Sequence, residues 1–402
     1  VSLRSVLDRL EPHFQQGGKY EKFFVFYEMF DTMLYKPSSV TTAAAHVRDG
    51  IDLKRIMMTV WLCTMPALLV GLWNVGYQAN TQLINNPELV GPSGLRGYII
   101  DLLTGSNPAN ILDNIIYGAT FYIPIFIVTY LCGFIWEGLF AFKRGHEVNE
   151  GFFVTGILFT LILPPQIPLW QVALGISFGV VLAKEVFGGT GKNFVNPALS
   201  GRAFLYFAYP AQISGDSVWT AVDGYTGATA LSLAASGGME AVTTAGISWL
   251  DMFLGKTQGC IGEVSTLMIL LGGGYLVWTR IASWRIVLSA IIGLVVTSFV
   301  LTSIGSETNS MFQMPWYWHL VVGGFAFGTF FMATEPVSAA HTNTGRWVYG
   351  FFIGAMTVFI RVINPAFPEG IMLAILLANL FAPIFDYCVV QSNIKRRRLR
   401  NV

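Results

Sequence analysis

Residues 116–142 read IYGATFYIPIFIVTYLCGFIWEGLFAF and carry one charged side chain, Glu137. About 20 apolar residues suffice for a helix to cross a hydrocarbon core of about 30 Å. Inside a bilayer no water satisfies backbone N–H and C=O groups, so a crossing segment must bond its own backbone. This run therefore predicts a membrane-spanning helix. It is one of about ten apolar segments, with approximate limits 56–76, 116–142, 150–165, 168–187, 197–210, 264–281, 284–304, 317–334, 347–363 and 368–389. Charged residues make up 12% of the chain, about half the usual share in a soluble domain. The expected fold class is an all-α polytopic membrane protein. A near-neutral charge balance gives no ground for nucleic-acid binding.

Several segments are short or interrupted. The third stops at Pro164-Pro165, and the fifth opens at Asn196-Pro197 and ends by Pro210. Broken helices at membrane depth are tolerated where they are buried or line a cavity. FVNPALSGRAF (194–204) and VINPAFPEGIM (362–372) share Asn-Pro-Ala, each at the last segment of a five-segment group. Five crossings invert the second group, so the expectation is two inverted five-segment repeats with broken or half-helices. The implied divisions are a cytoplasmic amphipathic region (1–55), a first repeat (56–210), a connecting loop (211–263), a second repeat (264–389) and a basic tail (390–402).

Basic residues set the orientation. With both termini in the cytoplasm, nearly all Lys and Arg fall on the inner side. Arg96, Lys256 and Arg361 lie outside and Arg202 lies within the fifth segment. The loop 211–263 then faces the periplasm. The first 55 residues are charged and amphipathic and show no cleavable signal. The stretch KYEKFFVFYEMF (19–30) fits a helix on the inner membrane surface or against a partner protein.

Candidate chemistry is sparse. Cys63, Cys132, Cys260 and Cys388 form no CxxC pair, and the histidines form no HxH or HxxxH pair. A metal centre built by this chain alone is not expected, so any electron carrier is organic or belongs to a partner. In KEVFGGTGKNFVNPALSGRA (184–203), glycines surround a helix start where N–H groups can hold an anion or a polar ring edge. Gly191, Lys192, Asn193 and Asn196 suit a flavin or quinone edge, or a tight re-entrant turn; the P-loop spacing is absent. Arg202 either snorkels to the inner surface or meets a buried anion. Glu137 and Asp386 lie inside membrane segments near their inner ends, as ion-pathway groups or as interfacial and paired charges. Gly133 shares a helix face with Glu137, and with Phe134 and Trp136 offers a flat slot for a quinone ring, or a belt of interfacial aromatics. MATEPVSAAHTNTGRW (332–347), with Glu335 and His341, reads as a structural inner loop. DGYTGATALS (223–232) is a small hydroxyl-rich loop: a surface turn, or an accessible acceptor for a covalently attached group.

HVRDGIDLKRIM (46–57), HEVNEGFF (146–153), KEVFGGTGKNFVNPALSGRAF (184–204), DGYTGATALS (223–232) and FMATEPVSA (331–339) closely resemble the B-subunit family of the bacterial Na⁺-translocating NADH:quinone oxidoreductases. The D subunits of Rnf complexes are more distantly similar. The resemblance runs essentially end to end. It implies FMN joined by a phosphoester to the last Thr of an [S/T/D]GAT element, here Thr229. Gly227 and Ala228 leave room for the phosphate, Thr226 stands where Ser or Asp often opens the motif, and Thr226 and Ser232 are the alternative hydroxyls.

The resemblance also implies noncovalent riboflavin near Gly191, Lys192, Asn193, Asn196 and Arg202, ubiquinone as electron acceptor, and outward Na⁺ movement. It implies a bacterial inner-membrane location, five partner subunits that carry NADH, FAD, iron–sulfur centres and a second FMN, and a flavin transferase for maturation. Electrons would pass from Thr229-bound FMN through riboflavin to quinone. The rival expectation is a non-redox channel or transporter for a small polar solute, which explains the repeat but not the TGAT loop. A purely structural anchor for redox subunits leaves the re-entrant segments unexplained.

Overall fold

The computed structural model describes residues 3–15, 17–20, 23–24, 27, 31, 53–105, 107–145, 148, 151–364 and 367–400. Most of the 19–30 stretch, and Pro365 and Ala366 of the second Asn-Pro-Ala element, lie outside them. The described chain is helical, with one isolated bridge between Val90 and Asp223. Its first half contains α1 (Leu3–Phe14), α2 (Leu53–Asn85), α3 (Gly94–Leu103), α4 (Ile111–Arg144), α5 (Gly151–Leu161), α6 (Leu169–Phe178), α7 (Pro197–Ala208) and α8 (Pro210–Ser214). The second half contains α9 (Ala230–Thr244), α10 (Trp249–Leu254), α11 (Thr266–Trp278), α12 (Trp284–Ile304), α13 (Trp316–Val321), α14 (Phe325–Phe327), α15 (Asn343–Ile363) and α16 (Ile371–Arg398).

Five of these, α2, α4, α12, α15 and α16, are long and apolar enough to cross a membrane. The 116–142 run forms α4. Asn110 caps its start by accepting from Leu112 N at 3.1 Å, and Gly145 in the left-handed region ends it. Asp113 in its first turn and Lys143 and Arg144 in its last complement the helix dipole.

The other segments are interrupted. The run around Pro164, Pro165 and Pro168 stops α5 and starts α6, because proline lacks an N–H and clashes with the preceding turn. The last carbonyl of α5 is not orphaned: Leu161 O accepts from Gly262 N, in the loop before α11, at 2.8 Å. Two broken ends thus meet inside the bundle. Both α6 and α14 run on into π-helical turns, Gly179–Glu185 and Gly328–Met332. Such turns occur often at functional sites.

The helices approach closely where side chains are small. A Cβ on Gly354 would collide with Ala290 O and lie 2.7 Å from Leu294 N. One on Gly293 would collide with Phe351 O, and one on Gly350 with Ser289 Oγ. Small residues let α12 and α15 pack backbone to backbone, the packing that holds helices together in lipid. Successive crossings gather Lys54, Lys143, Arg144, Lys184, Lys192, Arg346 and Lys395–Arg398 at one end of the bundle, called here the basic end.

Arg361, counted on the outer side, is fully buried. Its guanidinium donates to His319 O and Val322 O, each at 2.8 Å, at the end of α13. The cation satisfies the last carbonyls of a half-helix, where the dipole is negative. The two Asn-Pro-Ala elements also differ. Asn196 caps the start of α7, accepting from Leu199 N at 3.0 Å, whereas Asn364 terminates α15.

Candidate functional site

At the end opposite the basic one, residues 215–229 form a loop anchored to the bundle. Tyr117 Oη donates to Ala221 O at 2.6 Å, and Gln166 Nε2 to Thr220 O at 2.5 Å. Gly227 N donates to Asp216 O at 2.8 Å. Thr220 and Ala221 thus tie the loop to the bundle, and Gly227 closes it on Asp216. Thr229 is the N-cap of α9, its hydroxyl accepting from Ser232 N at 3.3 Å. Thr229 and Ser232 are half-buried, and Thr226 is exposed.

Thr229 and Ser232 line a cleft of about 330 Å³ with Tyr206, Ser214, Trp219 and Glu369. That size lies within the range of small-molecule sites, which begin at about 300 Å³. A planar ring would find aromatic walls, and a phosphate on Thr229 would sit at the α9 N-terminus, where free N–H groups favour an anion. These residues fit a phosphoester-linked flavin. Gly227 and Ala228 line a second cleft with Tyr225, Lys256 and Gln258. A Cβ on Gly227 would lie 2.7 Å from Gln258 Nε2 and 2.9 Å from the Tyr225 ring. Gly227→Ala is expected to displace the loop and lower covalent flavin loading several-fold, measured as fluorescence of the denatured chain per mole of protein.

The basic end holds a second cavity, lined by Lys184, Thr190, Asn193, Asn196, Thr334 and Glu335 together with apolar residues of α2 and α5. Both π-helical turns deliver side chains to it. Asn193 Nδ2 donates to Glu335 Oε1 at 3.0 Å, and Ser338 Oγ to Glu335 Oε2 at 2.8 Å. Burial pushes the Glu335 carboxyl up, and hydrogen bonds from Ser338, Asn193 and Asn196 pull it back. Lys184 Nζ lies 2.5 Å from Glu137 Oε1, with both side chains buried. Arg144 reaches Glu185 at 3.0 Å and clasps the end of the first π turn. The enclosed part of this cavity is about 100 Å³. That is too small for a tricyclic ring unless the 334–337 turn or the first turn of α2 moves.

The expected site residues divide accordingly. Asn193 and Asn196 share one cavity, while Gly191 and Lys192 are exposed on the preceding turn. Arg202 is not with them. It meets a half-buried anion, Glu369, at 2.7 Å, beside the Thr229 cleft. Glu137 and Asp386 sit in separate clusters. Asp386 accepts from His341 N at 2.7 Å and from Thr342 N at 2.9 Å, tying α16 to the loop before α15. Gly133 is sealed by the Phe152 ring, which a Cβ there would strike. Phe134 lines an apolar cleft of about 390 Å³ with Met57, Met58, Trp61, Tyr130 and Phe153. Among the described residues no cluster of His, Cys, Asp and Glu could hold a metal ion.

A family model described as NQR2, RnfD, RnfE matches residues 40–395. The chain belongs to the NQR2, RnfD, RnfE family. It is similar over its full length to proteins named as B subunits of Na(+)-translocating NADH-quinone reductase. The one from Ectopseudomonas mendocina is 63% identical over 403 residues, with 100% of both chains covered. That from Azotobacter vinelandii is 63% identical over 401 residues, again with 100% of both covered. That from Chromohalobacter salexigens is 63% identical, covering 100% of this chain and 97% of the relative.

In this member of the family, sequence reading set Glu335 aside as structural, yet it is the carboxylate of the basic-end cavity. A signal was present. Residues 166–185 and 313–335 both run from Gln-x-Pro through Phe-Gly to Glu, as QIPLW…FGVVLAKE and QMPWY…FGTFFMATE. The shared Phe-Gly marks the start of each π turn, and Lys184 and Glu335, near the closing ends of the two stretches, line the same cavity. Glu369 gave no local signal. Its pairing with Arg202 arises because residues 367–370 return to α7.

Proposed function

We propose that the chain is the flavin-carrying membrane subunit of a sodium-pumping NADH:quinone reductase, acting as an oxidoreductase within a multi-subunit complex. The observation that carries the flavin assignment is Thr229, a half-buried capping hydroxyl in the wall of an aromatic cleft at a helix N-terminus. The full-length relatives bear the name of such a reductase subunit, which supports the rest. The basic end is assigned to the cytoplasm by the positive-inside rule, with both termini there, in a bacterial inner membrane. The cleft then opens to the periplasm, where a flavin transferase acts. The two groups of five segments are read as inverted repeats, the shorter ones being half-helices.

FMN, once esterified, would supply one-electron chemistry. The chain's own residues would orient it: Trp219 and Tyr206 would wall the ring and the α9 N–H groups would hold the phosphate, while Gly227 lets the loop lie close to Gln258. Riboflavin is proposed at the mouth of the Asn193–Glu335 cavity, with opening of the 334–337 turn. Ubiquinone is proposed at the apolar cleft walled by Phe134, Tyr130 and Trp61. Glu137 and Asp386 are proposed for the ion pathway. Both carboxylates are engaged, so Na⁺ would compete with Lys184 at the first and with backbone N–H groups at the second. Five further subunits supply the remaining carriers.

The test is purification of the chain after coexpression with a flavin transferase. Visible flavin absorbance that persists through denaturation supports this reading. A colourless chain that conducts a small solute in vesicles overturns it in favour of a channel.

A further inference from the structure

The cleft beside Thr229 has a charged floor. Glu369 lines it, with 18% of its side chain exposed. Behind Glu369, Arg202 is 3% exposed and places Nη2 2.7 Å from the carboxylate. The same Nη2 lies 3.4 Å from Cys260 Sγ, and Arg202 Nε has no hydrogen-bond partner. Cys260 packs with Val218 and Trp219, so the cleft wall rests on the same cluster. On the other side, Arg361 Nε donates to Glu369 O at 3.2 Å. Glu263 completes the set, accepting from Cys260 N at 3.0 Å. Two arginines and two glutamates thus form a formally neutral cluster in a water-poor region, where unpaired charges are costly.

Pairing alone would serve to pin α7 to residues 367–370. It does not require that one carboxylate face a cleft shared with Thr229, Trp219 and Tyr206. Glu369 does so, and Arg202 stands behind it. Adding one electron to a ring in this cleft adds one negative charge in front of Glu369. The carboxylate opposes that charge, and the guanidinium behind it offsets the opposition.

We propose that the Glu369–Arg202 pair sets the reduction potential of the flavin carried on Thr229, both residues acting as positioning charges rather than as electron carriers. This rests on Thr229 being the flavin acceptor. Removing the carboxylate leaves Arg202 in excess and favours the reduced ring. Removing the guanidinium leaves Glu369 in excess and disfavours it. The two substitutions must shift the potential in opposite directions, and the double substitution must largely restore it. A purely structural contact has no reason to give signs that cancel.

The experiment is a spectroelectrochemical titration of the full-length chain in detergent, coexpressed with a flavin transferase and washed free of noncovalent flavin. Wild type is compared with Glu369→Gln, Arg202→Gln and the double variant. Fluorescence of each denatured chain reports flavin occupancy separately. The expected result is a change of at least tenfold in the one-electron equilibrium constant, about 59 mV, upward for Glu369→Gln and downward for Arg202→Gln. If Arg202→Gln does not accumulate, Glu369→Gln carries the sign test alone. Covalent flavin at wild-type occupancy with an unchanged or lowered potential in Glu369→Gln overturns the inference and leaves Thr229 as acceptor. Absence of covalent flavin from the wild type, with the transferase active on a control protein, overturns both.

Discussion

Thr229→Asn is expected to abolish the flavin fluorescence that survives denaturation, whereas Thr226→Val and Ser232→Ala retain it near the wild-type level. The choice of Asn separates two roles of one side chain. Thr229 Oγ1 caps α9 by accepting from Ser232 N. Asn is at least as good an N-cap as Thr, whereas an apolar residue would cost about 1 kcal/mol of helix stability. Asn therefore keeps the cap and removes only the esterifiable hydroxyl, so lost fluorescence cannot be attributed to a frayed helix. Thr226 is exposed but does not line the aromatic cleft, and Ser232 lies inside the first turn of α9. Fluorescence persisting in Thr229→Asn and vanishing in either of the others would move the acceptor.

The second large effect lies at Lys184. Lys184→Met is expected to destabilise the protein by about 3–5 kcal/mol, the range for removing one partner of a buried ion pair. Its ammonium faces Glu137 and also interacts electrostatically with Glu335. Its loss leaves two carboxylates short of a counter-ion. Glu137→Gln should cost less, because Lys184 retains Glu335. The double variant Glu137→Leu with Lys184→Met should recover part of the loss, since a packed apolar pair is often as stable as a buried ionic one, while Glu335 stays without its counter-ion.

Denaturation midpoints in detergent measure the stabilities, and the Na⁺ dependence of quinone reduction by the assembled complex separates structure from transport. If Glu137 belongs to the ion pathway, Glu137→Gln weakens the response to Na⁺ beyond what its stability predicts. An unchanged Na⁺ response when Glu137 and Asp386 are both neutralised would remove them from the pathway. A double variant destabilised by the sum of the two single losses would show that the pair is not coupled.

The two ends of the molecule were legible to different degrees. Thr229, Gly227 and Ala228 fall within ten consecutive residues, so the proposed acceptor and its small neighbours are contiguous in the chain. Asn193 and Asn196 are readable for the same reason. Arg202 belongs to a different neighbourhood from the one its sequence position suggests. It begins a turn and a half from Asn196, and distance along the chain points to a shared site. In α7 that separation carries the guanidinium to the far side of the break, toward Glu369 and Cys260. Gly133 groups with Phe134 in sequence, but adjacent helical residues point in different directions, and Phe152 from α5 fills the space above the glycine.

By itself the sequence determined a helical membrane protein, its breaks and the hydroxyl-rich loop proposed as acceptor. Hydrocarbon length, proline chemistry and local motifs act over short stretches of chain. Tertiary structure decided which charges neutralise one another: Lys184 with Glu137, Arg202 with Glu369, and Arg361 with the carbonyls ending α13. Burial forces each ion to find a partner, but nothing local to any of these residues says which distant carboxylate or carbonyl will be brought beside it.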